Sequence, residues 1–254
     1  MKKLGLMMLL GAAVCSAQAE SALQIDSTNM VGLTCFSSSL EQLPIGVTYG
    51  DYATTNLEMN ITNLLWTGNL EEDDTLYIYD YSQGKYLSMV LTSDKVWEAD
   101  PVDGGTPIDV DKDVFKYGRG AWLVRQDIAS REDKNVYTFG QVPVGQITVK
   151  IEPGTGTLAT STLISSPISE PLDLNGGAID WSAVALKGDV LRVPQEDGTM
   201  KGYSWNVGQK KWYVLSGGQI VTEGLIVPRG KGFWYSRAAK NTTGATLTWN
   251  LGNL

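Results

Sequence analysis

The sequence predicts an all-β protein made of two tandem modules that follow a signal peptide. Short runs rich in Val, Ile, Thr, Tyr and Trp are separated by Gly, Pro, Asn or Asp, which is the pattern of strands and turns. Long stretches with apolar residues at helical spacing are missing. One pattern, Gly-x-Gly-x-Trp-x-x-Arg, occurs twice, at 118–125 and at 230–237. These observations give the fold class, and the second copy of the pattern indicates a duplication.

The first residues of the chain predict export. Lys2 and Lys3 precede an apolar run at 4–14, and small residues ending at Ala19 predict a signal peptide at 1–19. The run is shorter than the roughly 20 residues that a membrane-spanning helix needs, so no transmembrane segment is expected. Lipid attachment at Cys15 is disfavoured because Val precedes it. The exported protein is expected in the periplasm, at the cell surface or outside the cell.

Composition excludes several classes of function. The formal net charge is −8 and no basic stretch occurs, which argues against a nucleic-acid partner because phosphate backbones are bound by clustered Lys and Arg. The chain contains no His, so Ser-His-Asp catalysis and His-ligated zinc are excluded. With the signal peptide removed, Cys35 is the one cysteine left, and an intramolecular disulfide is excluded. We expect neither a cofactor nor enzymatic activity.

Ten runs are predicted as strands: 31–36, 75–80, 86–91, 121–125, 136–139, 146–151, 190–193, 211–215, 232–237 and 246–251. The turn at 206–210 lies between Trp205 and Trp212 and predicts a hairpin with an aromatic residue on each arm.

The repeat extends beyond the shared pattern. Three residues of the first half recur in the second, where Trp66, Asp74 and Trp97 match Trp181, Asp189 and Trp212. The spacings are 8 and 23 residues in both halves. We therefore predict module 1 at 20–143 and module 2 at 144–254, each a β-sandwich or barrel-like unit. Matching 34–38 with 162–166 places an insertion of about 13 residues in module 1, within 48–60.

The repeated pattern is interpreted as the structural anchor of each module. Its residues are Gly118, Gly120, Trp122 and Arg125 in the first copy and Gly230, Gly232, Trp234 and Arg237 in the second. We expect a turn that enters a strand, with both Trp side chains packed inward and each Arg closing the end of its strand. The pattern lacks the third Gly and the following helix of a phosphate-binding loop, so nucleotide binding is not expected.

Ligand-binding candidates come from two aromatic stretches: Tyr77, Tyr79, Tyr81, Tyr203 and Trp205. The three Tyr residues alternate with Leu76 and Ile78, so they lie on the opposite face of one strand and form a ladder of rings that is expected to be exposed. Such a ladder fits stacking against a sugar or contact with a protein, and the alternative is ordinary cross-strand packing. For Tyr203 and Trp205, packing in the core is the alternative.

Acidic clusters give weaker signals. Asp109, Asp111 and Asp113 alternate as in a calcium loop, but the Gly and Glu that this loop needs further on are missing, so a solvated turn is favoured over a metal site. The carboxylates at 71–74 are candidates for paired-carboxylate catalysis. Asp74, which recurs as Asp189, is instead predicted to accept hydrogen bonds from backbone amides in its turn.

The stretch Ile-Val-Pro-Arg-Gly-Lys-Gly-Phe-Trp-Tyr-Ser-Arg at 226–237 resembles uncharacterised secreted bacterial proteins built from duplicated β modules. Module 1 departs from the pattern, with Lys116 and Tyr117 in place of Pro228 and Arg229. The resemblance implies export and a β fold, and it brings no catalytic residues.

The function expected from these observations is that of a secreted, non-enzymatic binding or surface protein that engages an extracellular polymer such as a glycan through exposed aromatic residues. The alternative is a structural or self-assembling envelope or matrix protein that pairs with copies of itself. A carboxylate-dependent hydrolase is the third hypothesis.

Overall fold

The structure is a computed structural model. It describes residues 31–46, 58–59, 65, 67–80, 85–99, 115–116, 119–141, 146–166 and 170–250. Strands and short 3-10 turns make up the regular structure of these ranges, which confirms the all-β prediction. Among the same residues, no helix has the length and apolar character needed to cross a membrane.

The described residues form nineteen strands: β1 (Val31–Ser37), β2 (Gln42–Gly46), β3 (Glu58–Met59), β4 (Thr75–Asp80), β5 (Lys85–Leu91), β6 (Trp97–Ala99), β7 (Phe115–Lys116), β8 (Gly120–Val124), β9 (Asn135–Gln141), β10 (Gln146–Ile151), β11 (Thr160–Ser165), β12 (Leu172–Asp173), β13 (Val190–Pro194), β14 (Met200–Asn206), β15 (Lys211–Ser216), β16 (Gln219–Val221), β17 (Ile226–Val227), β18 (Gly232–Arg237) and β19 (Ala245–Asn250). Each of the ten predicted runs overlaps one of them. The predicted hairpin is β14–β15, in which Trp205 lies opposite Trp212.

Two larger antiparallel sheets dominate the fold. The first has the strand order β2-β8-β4-β5-β6, and the second has the order β11-β18-β13-β14-β15-β16. Two-stranded sheets accompany them, β1-β9 and β3-β7 in the first half and β10-β19 and β12-β17 in the second. The first five strands of the second sheet therefore follow the same path through the chain as the five strands of the first.

Each of the two larger sheets has an inner face, whose side chains pack in the core, and an outer face. In the first sheet the inner residues include Leu43, Leu76, Met89, Leu91, Ala121 and Leu123, all 0% exposed. In the second they include Leu191, Val193, Trp212, Phe233 and Tyr235, also 0% exposed. Full burial of each large apolar side chain stabilises the fold by roughly 1.5–3 kcal/mol, so alternation along the strands accounts for which face turns inward.

Strand pairing corrects one alignment made from the sequence. Matching 34–38 with 162–166 predicts that these segments occupy corresponding strands, but β1 pairs with β9 whereas β11 pairs with β18. The edge strand that pairs with β8 is β2, so β2 occupies the position that β11 has in the second half. The insertion predicted within 48–60 therefore depends on the wrong pair of strands. Pro44 and Gly46 hide β2 from a sequence-based prediction, because both residues are rare in strand interiors.

The two halves meet along the edges of their larger sheets. Isolated bridges join Ile45 to Lys231 and Ile164 to Arg119, and the amide of Gly46 donates to the carbonyl of Gly230 at 2.8 Å. All other strand pairs described lie on one side or the other of residues 142–145. The contact between the halves is thus made of strand ends that approach each other closely.

Candidate functional site

The outer faces of the two larger sheets carry a row of aromatic side chains. We call it the aromatic strip, and it consists of Tyr77, Tyr79, Tyr86, Trp122 and Trp234. Tyr86 is 46% exposed, and the other four are half-buried. The strip begins on β4 and β5 in the first half and ends on β18 in the second.

Antiparallel pairing places the rings of the strip beside one another. Tyr79 lies opposite Tyr86, with ring centroids 5.0 Å apart in an edge-to-face arrangement. Tyr77 lies opposite Trp122 on β8. Trp122 in turn contacts Trp234 across the two halves, with ring centroids 6.4 Å apart and planes tilted by 43°. Residues directly opposite on neighbouring strands share a face, so the five rings form one continuous surface.

The strip changes character in the second half. On β13, Arg192 occupies the position opposite Trp234, where the first sheet has Tyr77 opposite Trp122. The Arg192 guanidinium donates through Nη1 to Ser236 Oγ at 2.6 Å, and Ser236 Oγ lies 2.7 Å from Ser161 Oγ. One end of the surface is therefore aromatic, and the other combines Trp234 with a cation and two hydroxyl groups.

The structure separates the predicted ligand-binding residues. Tyr77 and Tyr79 belong to the aromatic strip, although they are half-buried and not fully exposed as expected. Tyr81 lies outside the described residues. Tyr203 and Trp205 are 1% and 5% exposed, so the structure places them in the core and they present no face to a ligand. Their parity on β14 turns them inward, as the core-packing alternative requires.

The repeated pattern contacts the other half of the chain, and the inward direction predicted for its Trp residues is wrong. Strand alternation turns Ala121 and Leu123 inward and leaves Trp122 on the outer face, half-buried, and Trp234 has the same orientation on β18. A Cβ added at Gly120 would lie 2.6 Å from Leu163 Cγ in the second half, so any larger residue there would force Leu163 to move.

The glycines of the second copy serve the same contact. Gly230 has a φ of 70°, and a Cβ there would lie 2.5 Å from the ring of Phe36. Gly232 lies against Leu163 and Ile45. Gly118 lies outside the described residues. The glycines therefore allow the backbone of each half to approach residues of the other half closely.

The Arg residues of the pattern are buried. Arg125 donates to the carbonyls of Lys134, Ser38 and Leu40 at 3.1, 2.5 and 2.8 Å. Burial, together with the nearby Arg131, lowers the pKa of Arg125 to about 10. Arg125 thus joins the end of its own strand to two other segments of the first half, at 38–40 and at Lys134.

Asp74 and Asp189 occupy equivalent turns, as the spacing of the repeat predicted. Asp74 Oδ2 accepts from the amide of Glu71 at 3.0 Å, and Asp189 Oδ2 accepts from the amide of Leu186 at 2.9 Å. Both carboxylates are 0% exposed. They fix their turns and are not available to a substrate.

The side chains that compensate the charges of these two carboxylates differ. Arg131 donates to both oxygens of Asp74, at 2.7 and 2.5 Å, and this contact raises the pKa of Arg131. Asp189 instead accepts from the hydroxyl of Tyr235 at 2.5 Å, with Arg237 Nε at 3.5 Å. Burial, with the Asp189 contact second, raises the pKa of Tyr235.

Lys231 is the x of the second Gly-x-Gly and lies in the contact between the halves. Its ammonium lies 4.3 Å from the centroid of the Phe36 ring. Burial lowers the pKa of Lys231 to about 8, and the positive charge of Arg125 adds to this effect. The ammonium is therefore held against an aromatic ring in a partly dehydrated site.

The two acidic clusters considered from the sequence, at 109–113 and at 71–74, are the candidates for a metal site and for paired carboxylates. Asp109, Asp111 and Asp113 lie outside the described residues, and within the described ranges no three acidic or cysteine side chains are grouped as metal ligands. Of the carboxylates at 71–74, Glu71 is exposed, and its Oε2 lies 3.4 Å from Arg131 Nε. Glu71 and Asp74 therefore share Arg131 as an ion-pair partner, and this contact stabilises the turn that contains them.

The members of this surface that depend on strand pairing are not apparent from the sequence. Tyr86 and Trp122 join the strip because β5 and β8 flank β4, and Arg192 joins it because β13 flanks β18. One signal was present: in the repeat, Arg192 stands where the first half has Tyr77, which marks the position as different between the halves.

Comparison of the chain with protein families, with curated proteins and with solved structures gives no match. The resemblance to secreted bacterial proteins stays a prediction.

Proposed function

We propose that this chain is a secreted, non-enzymatic binding protein that holds an extracellular glycan on the aromatic strip. The observation that carries the proposal is the continuity of five rings across both halves, from Tyr86 to Trp234. Aromatic faces offer apolar area to the C–H groups of a sugar ring, and the Tyr hydroxyl groups supply polar edges. A row of rings suits an extended polymer better than it suits a compact small molecule.

The proposal includes two tandem modules, at 20–143 and 144–254, each of sandwich or barrel-like form. It is supported by the common strand order of the two larger sheets and by the equivalent turns of Asp74 and Asp189. It also includes export with the signal peptide at 1–19 removed. A glycan outside the cell is a partner that an exported, acidic protein without a basic stretch can reach and bind.

Retention on glycans tests the proposal. We expect the purified protein to be retained on at least one insoluble polysaccharide of a broad panel. The double variant Tyr79→Ala, Tyr86→Ala should lose affinity by about tenfold or more, which corresponds to about 1.4 kcal/mol of binding free energy. Circular dichroism checks that the fold survives.

The matched control is Leu158→Ala, because Leu158 is a large side chain that is 69% exposed and lies outside the strip. This variant should bind like the unchanged protein. A wild-type protein that no glycan of the panel retains would contradict the proposal.

A second candidate function, self-assembly, is favoured by the edge of the second sheet. Leu215 on β15 lies opposite Ile220 on β16, and the two are 67% and 47% exposed. Strand β16 is the outermost strand of its sheet in the described part of the chain. An edge strand with exposed apolar residues can pair with another copy. Light scattering over a wide concentration range should then show oligomers that Ile220→Lys disperses, and a strictly monomeric protein would exclude this role.

A further inference from the structure

The surface beside Trp234 differs from the rest of the aromatic strip because it contains a positioned cation. Arg192 lies opposite Trp234 on β18 and opposite Gly202 on β14, so its side chain rises from the outer face next to the last ring of the strip. Arg192 and Gly202 are exposed, and Trp234 is half-buried. An occupant of the strip that reaches Trp234 therefore also reaches this guanidinium.

A hydrogen bond to Ser236 on β18 anchors the guanidinium of Arg192. Its Nη1 donates to Ser236 Oγ at 2.6 Å, and Ser236, which is 5% exposed, lies 2.7 Å from Ser161 through its hydroxyl oxygen. A guanidinium has five N–H donors. Among the residues that the structure describes, the Ser236 hydroxyl is the one acceptor in contact with Arg192. The described residues therefore leave the other donors of this exposed guanidinium open to solvent or to a ligand.

The space beside Arg192 is open. Gly202 occupies the neighbouring position on β14, and a Cβ added there would meet a single atom, Val190 Cγ1, at 4.0 Å. A larger residue at this position would project over the guanidinium. Glycine thus leaves the side of Arg192 that faces β14 uncovered, and an oxyanion can approach the guanidinium from there.

Charge on this face favours an anion. The register places no Asp or Glu on the outer face of the described strands β11, β13, β14, β15 and β18. The two charged side chains there are Arg192 and Lys211, in a chain whose formal net charge is −8. A carboxylate binds Arg through two parallel N–H donors and meets no like charge on these strands.

We infer that Arg192 and Trp234 form a subsite for an acidic sugar, so that the glycan held by the strip carries carboxylate groups as in a uronic acid polymer. The inference rests on the proposed glycan-binding function and names its substrate class. The sugar ring lies against Trp234, its carboxylate accepts from Arg192, and Ser236 and Ser161 are positioning residues that fix the guanidinium.

Affinity for three soluble oligosaccharides of equal length tests the inference: an oligomer of a uronic acid, its neutral counterpart with the carboxylate reduced to an alcohol, and a sulfated form of the neutral oligomer. Calorimetry should give about tenfold tighter binding of the uronic acid oligomer than of the neutral one, since the charge-assisted pair adds to stacking. The preference should decrease as salt is added.

Variants then assign the preference to Arg192. Arg192→Gln should bring the ratio of the two affinities close to one, and Arg192→Lys should restore part of it. Gly202→Val, which covers the flank of the guanidinium, should also lower the ratio. The control Lys150→Gln makes the same charge change on β10, at a side chain that is 70% exposed, and should leave the ratio unchanged.

The outcomes are distinguishable. Equal affinity for the acidic and neutral oligomers overturns the acidic subsite and leaves the proposed glycan binding intact. Tighter binding of the sulfated oligomer overturns the assignment of a carboxylate. If no glycan binds, the proposed function and the subsite are both overturned.

Discussion

Asp74 and Asp189 occupy the same kind of turn in the two halves, are both fully buried, and are compensated by different chemistry. The partner of Asp74 is an arginine that binds both of its oxygens. Asp189 accepts from the Tyr235 hydroxyl, from the amide of Ala238 at 2.9 Å and from Asn241 Nδ2 at 2.7 Å, with Arg237 further away. The first half neutralises the carboxylate mainly with a charge, and the second half mainly with dipoles.

The difference shows what the fold requires at this position. A buried carboxylate must be compensated, because an unpaired one is among the most destabilising groups in a protein interior. The identity of the compensating group is free to vary, provided that the amides of the turn are also satisfied. Five substitutions test this comparison and the contact between the halves.

The largest effect is expected for Arg131→Ala, which leaves Asp74 buried without its cation. Breaking a buried ion pair typically costs about 3–5 kcal/mol, and we expect a loss of this size in the free energy of unfolding. Urea denaturation measures it. Arg229→Ala, which removes the ion-pair partner of the exposed Glu170, is the control and should stay within about 0.5 kcal/mol. Equal losses in the two variants would contradict the ionic role of Arg131.

A smaller loss is expected for Tyr235→Phe, since Asp189 keeps its other donors. Loss of one hydrogen bond to a charged group costs about 1.5–3 kcal/mol. Thermal or urea unfolding should show this decrease, whereas Tyr213→Phe on the outer face of the same sheet should be nearly neutral. A loss as large as that of Arg131→Ala would mean that Asp189 depends on one partner after all.

The glycines of the repeated pattern should also differ. An added Cβ at Gly120 would lie 2.6 Å from Leu163 Cγ, whereas at Gly232 the closest atom is Leu163 Cδ1 at 3.1 Å. Overpacking of this kind costs roughly 1–3 kcal/mol, and we expect Gly120→Ala to lie in that range and Gly232→Ala below it. Gly202→Ala, where space is open, is the control. The reverse order of the two losses would contradict this geometry.

The last effect has the opposite sign, because Lys231→Met is expected to stabilise the fold. The pKa of Lys231 is lowered to about 8 in the folded chain, against 10.5 for an ordinary lysine, so the unfolded state binds more protons between these pH values. Stability contributed by this residue therefore rises as pH increases from about 8 to about 10.5, and below pH 8 its full penalty is present.

At pH 7 we expect Lys231→Met to be more stable than the unchanged protein by about 1–2 kcal/mol, because the variant carries no buried ammonium. The gap should close as pH approaches 10.5. Paired denaturation curves at pH 7 and pH 10 measure it. A gap that does not change with pH would show that the charge of Lys231 is not the cause.

Short-range features of this fold were predictable from the sequence, and long-range pairings were not. Alternation placed Leu76 and Leu191 in the core, and the spacing of the repeat found the turns of Asp74 and Asp189. Strand neighbours cannot be obtained from one sequence, since any strand can pair with any other. The outward direction of Trp122 was missed because the run of apolar residues around it has no clear alternation, and Arg192 was missed as a site residue because only pairing places it beside Trp234.

The pairing of β1 with β9 and of β10 with β19 affects how the chain folds during synthesis. Val31 on β1 pairs with Gln141 on β9, and Gln146 on β10 pairs with Asn250 on β19, so each half joins the first and last of its described strands. During synthesis β1 must remain without its partner until about a hundred further residues have been made, and such distant pairings form slowly. A chain that stops a few residues early lacks the strand that completes a half. Truncation within β9 or within β19 should therefore leave an incomplete half. Such a fragment is expected to aggregate and to be degraded by proteases.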